Sequence, residues 1–200
     1  MRRYWFPKHY ADVVQRLRVP LGFVLVALFA WGSQPARVSL TLGLPVAVAG
    51  LAIRAWAAGH LAKNESLSTS GPYARVRNPL YVGTLLVAMG LALAARELTL
   101  AVVFAAVFVL VYIPAMELEE QHLRKLFPEY ETYAARVPML VPGGRAIASS
   151  LPLPDGRGSE GRFRWALYWR NQEYQALAGF ALGVVWLLWR AGVLLIPWHG

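Results

Sequence analysis

From Leu80 to Met116 the sequence carries no charge except the adjacent pair Arg96 and Glu97. Two apolar runs this long with a two-residue break cannot both be covered by an ordinary soluble core. They form the pattern of a tight helical hairpin whose turn lies at one surface of a membrane. The composition agrees, because 57% of the 200 residues are hydrophobic and only 16% are charged, a balance outside the range of soluble domains. The first run, 80–95, reaches only ~24 Å at ~1.5 Å per residue, short of a hydrocarbon core about 30 Å thick. Helices here are expected to thin the bilayer locally or to keep part of their length outside it.

Further spans flank this hairpin. In the segment Lys8–Arg18, Tyr10, Val13, Val14 and Leu17 fall at helical spacing, with Lys8, Asp12, Gln15 and Arg16 on other faces. This predicts an amphipathic helix on the membrane surface, anchored by Trp5 and Phe6. Asp12 and the lack of a small-residue cleavage site argue against a secretory signal. A short first span, Val19–Trp31, ends in the turn 32–35. A second, Val38–Gly59, places Arg54 where a long side chain can snorkel to the interface. Gly83 and Gly90 lie on one face and allow close helix contact. Residues 142–161, rich in Gly, Pro and Ser, read as a flexible linker. Aromatic residues and arginines between Phe163 and Tyr174 then lead into a last span, Tyr174–Ile196.

The expected fold class is therefore all-α, a polytopic membrane helix bundle of about five transmembrane helices. The expected parts are an interfacial helix (1–18), a membrane core (19–142), the linker (143–164), and an interfacial segment with a terminal span (165–200). Seventeen of the twenty basic residues fall on one side, leaving Arg37, Arg96 and Arg190 on the other. The positive-inside rule then makes the amino terminus, the loop after the second span and the acidic segment after the fourth all cytoplasmic. The net charge of +9 thus reads as topology signal and lipid contact rather than nucleic-acid binding. The absence of cysteine excludes disulfides and thiolate metal sites. The acidic residues have no second cluster at ligand spacing, so no metal is expected.

Chemistry is expected in the stretch SLSTSGPYARVRNPLYVG, Ser66 to Gly83. Gly71-Pro72 marks a turn, Asn78 is pushed towards extended backbone by the proline after it, and Pro79 opens a helix. The free N–H groups and positive dipole of that start, with Arg75 and Arg77 beside it, suit a carboxylate or phosphate. By residue type alone the stretch reads equally as a membrane-flanking loop, Tyr73 and Tyr81 as interfacial aromatics, and His60, which shares a face with Trp56, as a bystander. Glu117 to Arg136 reads as a charged helix or pair of helices capping the bundle. Leu118, His122, Leu126, Tyr130 and Tyr133 lie near one face, and Glu117, Glu119 and Glu120 sit at a solvated helix start.

The words GPY and RNPLY, followed about 35 residues later by ELEEQHLRKLFPEYETYAARVP, resemble the isoprenylcysteine carboxyl methyltransferase family and its bacterial relatives. The resemblance covers about Gly50 to Pro142. It implies an integral-membrane methyltransferase of the bacterial inner membrane that uses S-adenosyl-L-methionine and acts on a lipophilic or lipidated substrate. By the same resemblance, cofactor contacts fall on Glu65, Ser66, Leu67, Ser68, Tyr73, Asn78, Pro79, Leu80, Tyr81 and Glu119. Two departures stand out. Asn78 replaces the family's usual histidine and cannot carry a proton or charge, and Ala115 replaces the arginine that holds the substrate carboxylate. Arg77, with Arg75 as the alternative, is then the candidate catalytic residue that holds the substrate.

Methyl transfer to a carboxylate needs no general base, only desolvation and in-line alignment. The bilayer can deliver an amphiphilic acceptor while the cofactor arrives from the cytoplasm. The alternatives are a phospholipid or other small-lipid methyltransferase, a nicotinamide-dependent membrane reductase, whose phosphates would ask for more arginines, and a non-catalytic membrane protein.

Overall fold

The computed structural model describes residues 6–141 and 162–194. Trp5 and nearly all of the expected linker lie outside them. The described residues form eight α-helices: α1 (Lys8–Gly32), α2 (Arg37–Ala58), α3 (Pro79–Ala95), α4 (Leu98–Val107), α5 (Ile113–Leu126), α6 (Tyr130–Arg136), α7 (Trp165–Arg170) and α8 (Tyr174–Arg190). A 3₁₀ turn, Gly71–Ala74, precedes α3, and a π-helical turn, Phe108–Tyr112, joins α4 to α5. By length and composition α2 and the continuous helix Leu98–Leu126 are able to cross a membrane, and α1 is a third if its two halves count as one span. At 17 residues each, α3 and α8 are shorter.

The expected surface helix and first span form one helix, bent by 51° where they meet. Pro20 lies just beyond the bend and removes an N–H from the helical ladder. The hairpin turn expected at Arg96-Glu97 is present. Arg96 adopts a left-handed conformation with φ of 54°, and Glu97 caps α4 by accepting from the Thr99 amide at 3.2 Å.

Helices α2 and α3 make the tightest contact, because small residues face each other along both. Gly43 and Gly50 of α2 meet Gly90 and Gly83 of α3. A Cβ at Gly50 would lie 2.6 Å from the Gly83 carbonyl oxygen, and one at Gly90 would lie 2.6 Å from the Gly43 oxygen. Backbones this close leave room only for glycine. At one end of the pair the Ser39 hydroxyl donates to the Ala94 carbonyl at 2.8 Å. There Phe29, Leu40, Ala94, Ala95, Leu100 and Leu187 form a buried cluster joining α1, α2, α3, α4 and α8.

The charged segment is not a cap that begins at Glu117. It continues the α4 span without a break, so Glu117, Glu119 and Glu120 sit within a helix rather than at a solvated start, and Glu117 and Glu120 are buried. Of the residues expected near one face, His122 and Leu126 are exposed while Tyr130 and Tyr133 are buried. The buried face is set by what α5 meets: α1 on one side and the loop before α3 on the other. The expected pair of helices is completed by α6, whose Tyr130 and Tyr133 pack with Leu67 and Val137.

The π-helical turn has a local cause. Pro114 has no N–H for the carbonyl four residues earlier, Leu110. That oxygen accepts instead from the Tyr10 hydroxyl of α1 at 2.7 Å.

Candidate functional site

The loop before α3 is shaped by the residues the sequence singled out. Gly71 has a φ of +59°, a value glycine adopts without strain. Pro79 is the first residue of α3, and Asn78 precedes it with φ −123°. Two strand-like backbone bonds hold this approach, from the Arg77 amide to the Pro138 carbonyl at 2.9 Å and from the Asn78 amide to Met139 at 3.2 Å. The Tyr81 and Val82 amides both donate to the Asn78 carbonyl, so the Leu80 amide is what remains of the expected free helix start.

Two pairs join this start to the acidic stretch of α5. The Tyr81 hydroxyl donates to Glu119 Oε1 at 2.9 Å, and Asn78 Nδ2 donates to Glu120 Oε1 at 3.2 Å. The Asn78 amide group also reaches the Met139 carbonyl at 3.4 Å. The Tyr81 ring meets Tyr112 edge-on, with centroids 5.9 Å apart. Of the two carboxylates, Glu119 is exposed and Glu120 is buried.

Glu120 is a hub that residue types alone did not single out. Arg77 Nε lies 3.3 Å from one of its oxygens, and Arg124 approaches the other at 3.8 Å while also pairing with Glu131. The Arg77 side chain is only 10% exposed. Its Nε and Nη1 are buried without a hydrogen-bond partner, the kind of unfilled donor that a ligand or water satisfies. The i, i+4 spacing of Glu120 and Arg124 was the one sequence signal for this network.

The other candidates divide. Tyr73 is buried, and its carbonyl accepts from the Tyr133 hydroxyl at 2.7 Å. Burial first, and the carboxylates of Glu119 and Glu173 second, push its phenol well above the usual range. Ser68 is buried and donates to the His60 carbonyl at 2.9 Å, and Leu67 packs under α6. Glu65 is exposed and accepts from Arg170 at 2.7 Å. Ser66 lies half-buried between them. Thus Asn78, Tyr81, Arg77 and Glu119 come together around Glu120 and the α3 start, Tyr73 is held by Tyr133 of α6, and Glu65, Leu67 and Ser68 are engaged within and beside their own loop. His60 is a packed residue, holding the Trp56 carbonyl at 2.9 Å and lying where a side chain on Gly71 would go. Arg75 covers the Trp56 ring at 5.7 Å. Ala115 is 1% exposed.

Arg54 does not snorkel. It makes a two-pronged pair with Glu173, at 2.5 and 3.0 Å, and donates to Thr84 of α3. A buried carboxylate 119 residues away in sequence offers the guanidinium a better partner than the interface does.

Fold and site together define the class: an all-helical protein with membrane-span-capable helices whose polar residues converge on the start of α3. Residues 38–130 match the profile of the phospholipid methyltransferase family. That family falls within the isoprenylcysteine carboxyl methyltransferase-like group of membrane methyltransferases that the motifs resemble. The chain is also similar to two curated bacterial proteins. It is 36% identical over 132 residues to the cobalt-zinc-cadmium resistance protein CzcN of Cupriavidus metallidurans, covering 62% of this chain and 61% of that one. It is 33% identical over 132 residues to the nickel-cobalt-cadmium resistance protein NccN of Alcaligenes xylosoxydans xylosoxydans, covering 62% of each. The match thus spans about three fifths of these relatives' length. No solved structure matches the chain.

Proposed function

We propose that this protein is an integral-membrane methyltransferase that uses S-adenosylmethionine and acts on an amphiphilic lipid. The observation that carries this reading is the Tyr81–Glu119 hydrogen bond beside the Asn78–Glu120 contact, which unites both motifs at one helix start. The residues present suit the cofactor. The buried Arg77 donors and the Leu80 amide fit its carboxylate. Glu119 is an exposed acceptor for its ammonium or ribose hydroxyls, and the Tyr81 and Tyr112 rings can face a sulfonium cation. When bound, the cofactor supplies an electrophilic methyl group on sulfur. The chain's own part is to orient the cofactor and to keep water from the acceptor's nucleophile.

Arg77, sequestered by Glu120, is assigned here to the cofactor side rather than to a substrate carboxylate. With Ala115 buried, nothing at that position offers a cation to a prenylcysteine carboxylate. The acceptor this reading favours is therefore a phospholipid or similar lipid amine, with the prenylated carboxylate second. A nicotinamide reductase is disfavoured because its phosphates would ask for more arginines than Arg77 and Arg75, the second of which covers Trp56. Two relatives are named for metal resistance. Among the described residues no three His, Cys, Asp or Glu side chains group as a metal site, so a shared role here would run through modification of a membrane lipid. In this reading five helices, α1, α2, α3, α4–α5 and α8, cross the bacterial inner membrane, with the amino terminus and the site on the cytoplasmic side.

Titrating detergent-purified protein with S-adenosylhomocysteine and with NADPH tests the proposal. The homocysteine compound is expected to bind, and Glu119→Ala to weaken it. Binding of NADPH instead, or of neither, would overturn the methyltransferase reading.

A further inference from the structure

The family match ends at residue 130, yet a later segment holds the end of α2 and the loop that follows it. The last carbonyls of a helix have no partners within it, and residues 162–173 supply them. Asn171 Nδ2 donates to the Ala58 and Leu61 carbonyls, each at 2.9 Å, and the Arg164 amide donates to Gly59 at 2.9 Å. Nearby, the buried Glu173 grips Arg54, which also binds Thr84, so one carboxylate ties this segment to both α2 and α3. The loop from His60 to Ser70 has few bonds of its own, chiefly the Glu65 and Ser66 amides to Ala62 and Ser68 to His60. Leu67 anchors its far half under α6, and the half next to α2 depends on how the end of that helix is held.

We propose that residues 162–173 are a strap belonging to the ligand-binding unit, with Asn171 and Glu173 as positioning residues that fix the loop 59–68 and, through Arg54 and Thr84, the start of α3. That this loop serves S-adenosylmethionine rests on the function proposed above, while the strap itself rests on the contacts.

The experiment measures amide hydrogen exchange of residues 60–68 and S-adenosylhomocysteine binding in full-length, detergent-purified variants. Asn171→Ala removes two neutral hydrogen bonds and is expected to speed exchange in 60–68 and to weaken binding, each by roughly tenfold, with a modest fall in thermal midpoint and the faster exchange confined to that loop. Arg54→Met with Glu173→Met removes the ion pair without stranding a buried charge and is expected to act in the same direction. Gly179→Ala on α8, outside the strap and with nothing within 4 Å, is the control and is expected to change either readout by less than about threefold. Unchanged exchange at 60–68 in both Asn171→Ala and the double variant would overturn the strap. If wild-type protein does not bind S-adenosylhomocysteine, the methyltransferase reading fails and the exchange data alone decide the strap.

Discussion

The hydroxyl of Tyr81 donates to the carboxylate of Glu119 at 2.9 Å across 38 residues of sequence. It is the most direct link between the loop-to-helix start and the acidic helix, and it joins an exposed acceptor to a ring already braced by Tyr112.

If that carboxylate holds a cofactor, Glu119→Ala should weaken S-adenosylhomocysteine binding by about ten- to a hundredfold, the range for a lost hydrogen bond to a charged group of ~1.5–3 kcal/mol. Tyr81→Phe, which keeps the ring, should lose less, and the double variant should lose less than the sum, because the two side chains act together. Glu117→Ala is expected to show the opposite division. Glu117 is buried and accepts from the Phe6 amide at 3.3 Å, so its loss should lower the thermal midpoint more than the affinity. Equal effects of Glu117→Ala and Glu119→Ala on titration would remove Glu119 from the site.

Much of this arrangement was legible where local chemistry dictates it. Pro79 opens α3 because it needs no amide partner there, Gly71 supplies a positive φ, and Arg96-Glu97 breaks the apolar run. What stayed hidden depends on distant partners. Arg54 meets Glu173 only after the chain has folded back, and Gly43 and Gly50 gain their meaning from facing Gly90 and Gly83. The change from apolar to charged residues at Met116 looked like an element boundary, yet the helix runs through it. Helical backbone continues wherever its ladder is satisfied, whether the surroundings are lipid or water. Glu120 drew no attention because a carboxylate in a charged run reads as solvated until Arg77 and Arg124 are seen around it.

Close contact of α2 and α3 is tested at Gly83. A Cβ there would lie 2.6 Å from the Gly50 carbonyl oxygen, and backbone cannot retreat without parting the helices. Gly83→Ala is expected to destabilise the protein by ~1–3 kcal/mol, the range for overfilling a tight contact, read as a lower midpoint in thermal or denaturant unfolding. Gly179→Ala on α8, where nothing lies within 4 Å, should be neutral or mildly stabilising.

Alkaline pH should unfold the protein steeply. Burial, as the largest cause, raises the phenols of Tyr73, Tyr130 and Tyr133 above their ordinary value. The fold thus prefers the neutral form, and the unfolded chain loses these protons first. The stability from this preference is complete below about pH 10 and falls above it, by about 1.4 kcal/mol per pH unit for each tyrosine still protonated in the fold. Tyr133→Phe should cost about 1 kcal/mol at neutral pH, from the lost bond to the Tyr73 carbonyl, and should make the alkaline decline shallower. An unchanged slope between pH 10 and 12 would contradict the linkage.

The π-helical turn gives the last test, because its cause and its remedy lie on different helices. Pro114 denies an amide to the Leu110 carbonyl, and Tyr10 of α1 supplies a hydroxyl at 2.7 Å in its place. Tyr10→Phe keeps the ring, which stacks on Phe6 with centroids 6.0 Å apart, and removes only the donor. The lost bond lies on the exposed face of the helix, so the variant should cost only the net worth of one hydrogen bond, about 1 kcal/mol, and melt slightly earlier. Pro114→Ala restores an N–H four residues after Leu110 and allows the turn to relax towards an ordinary α-helix. In that background the Tyr10 hydroxyl has less to do, and Tyr10→Phe should cost markedly less than in the wild-type chain. The same relaxation would rotate Tyr112, and with it the edge contact to Tyr81, so Pro114→Ala should weaken S-adenosylhomocysteine binding even where it steadies the helix. A double variant whose stability loss equals the sum of the two singles would show that Tyr10 and Pro114 act independently and that the proline does not cause the turn.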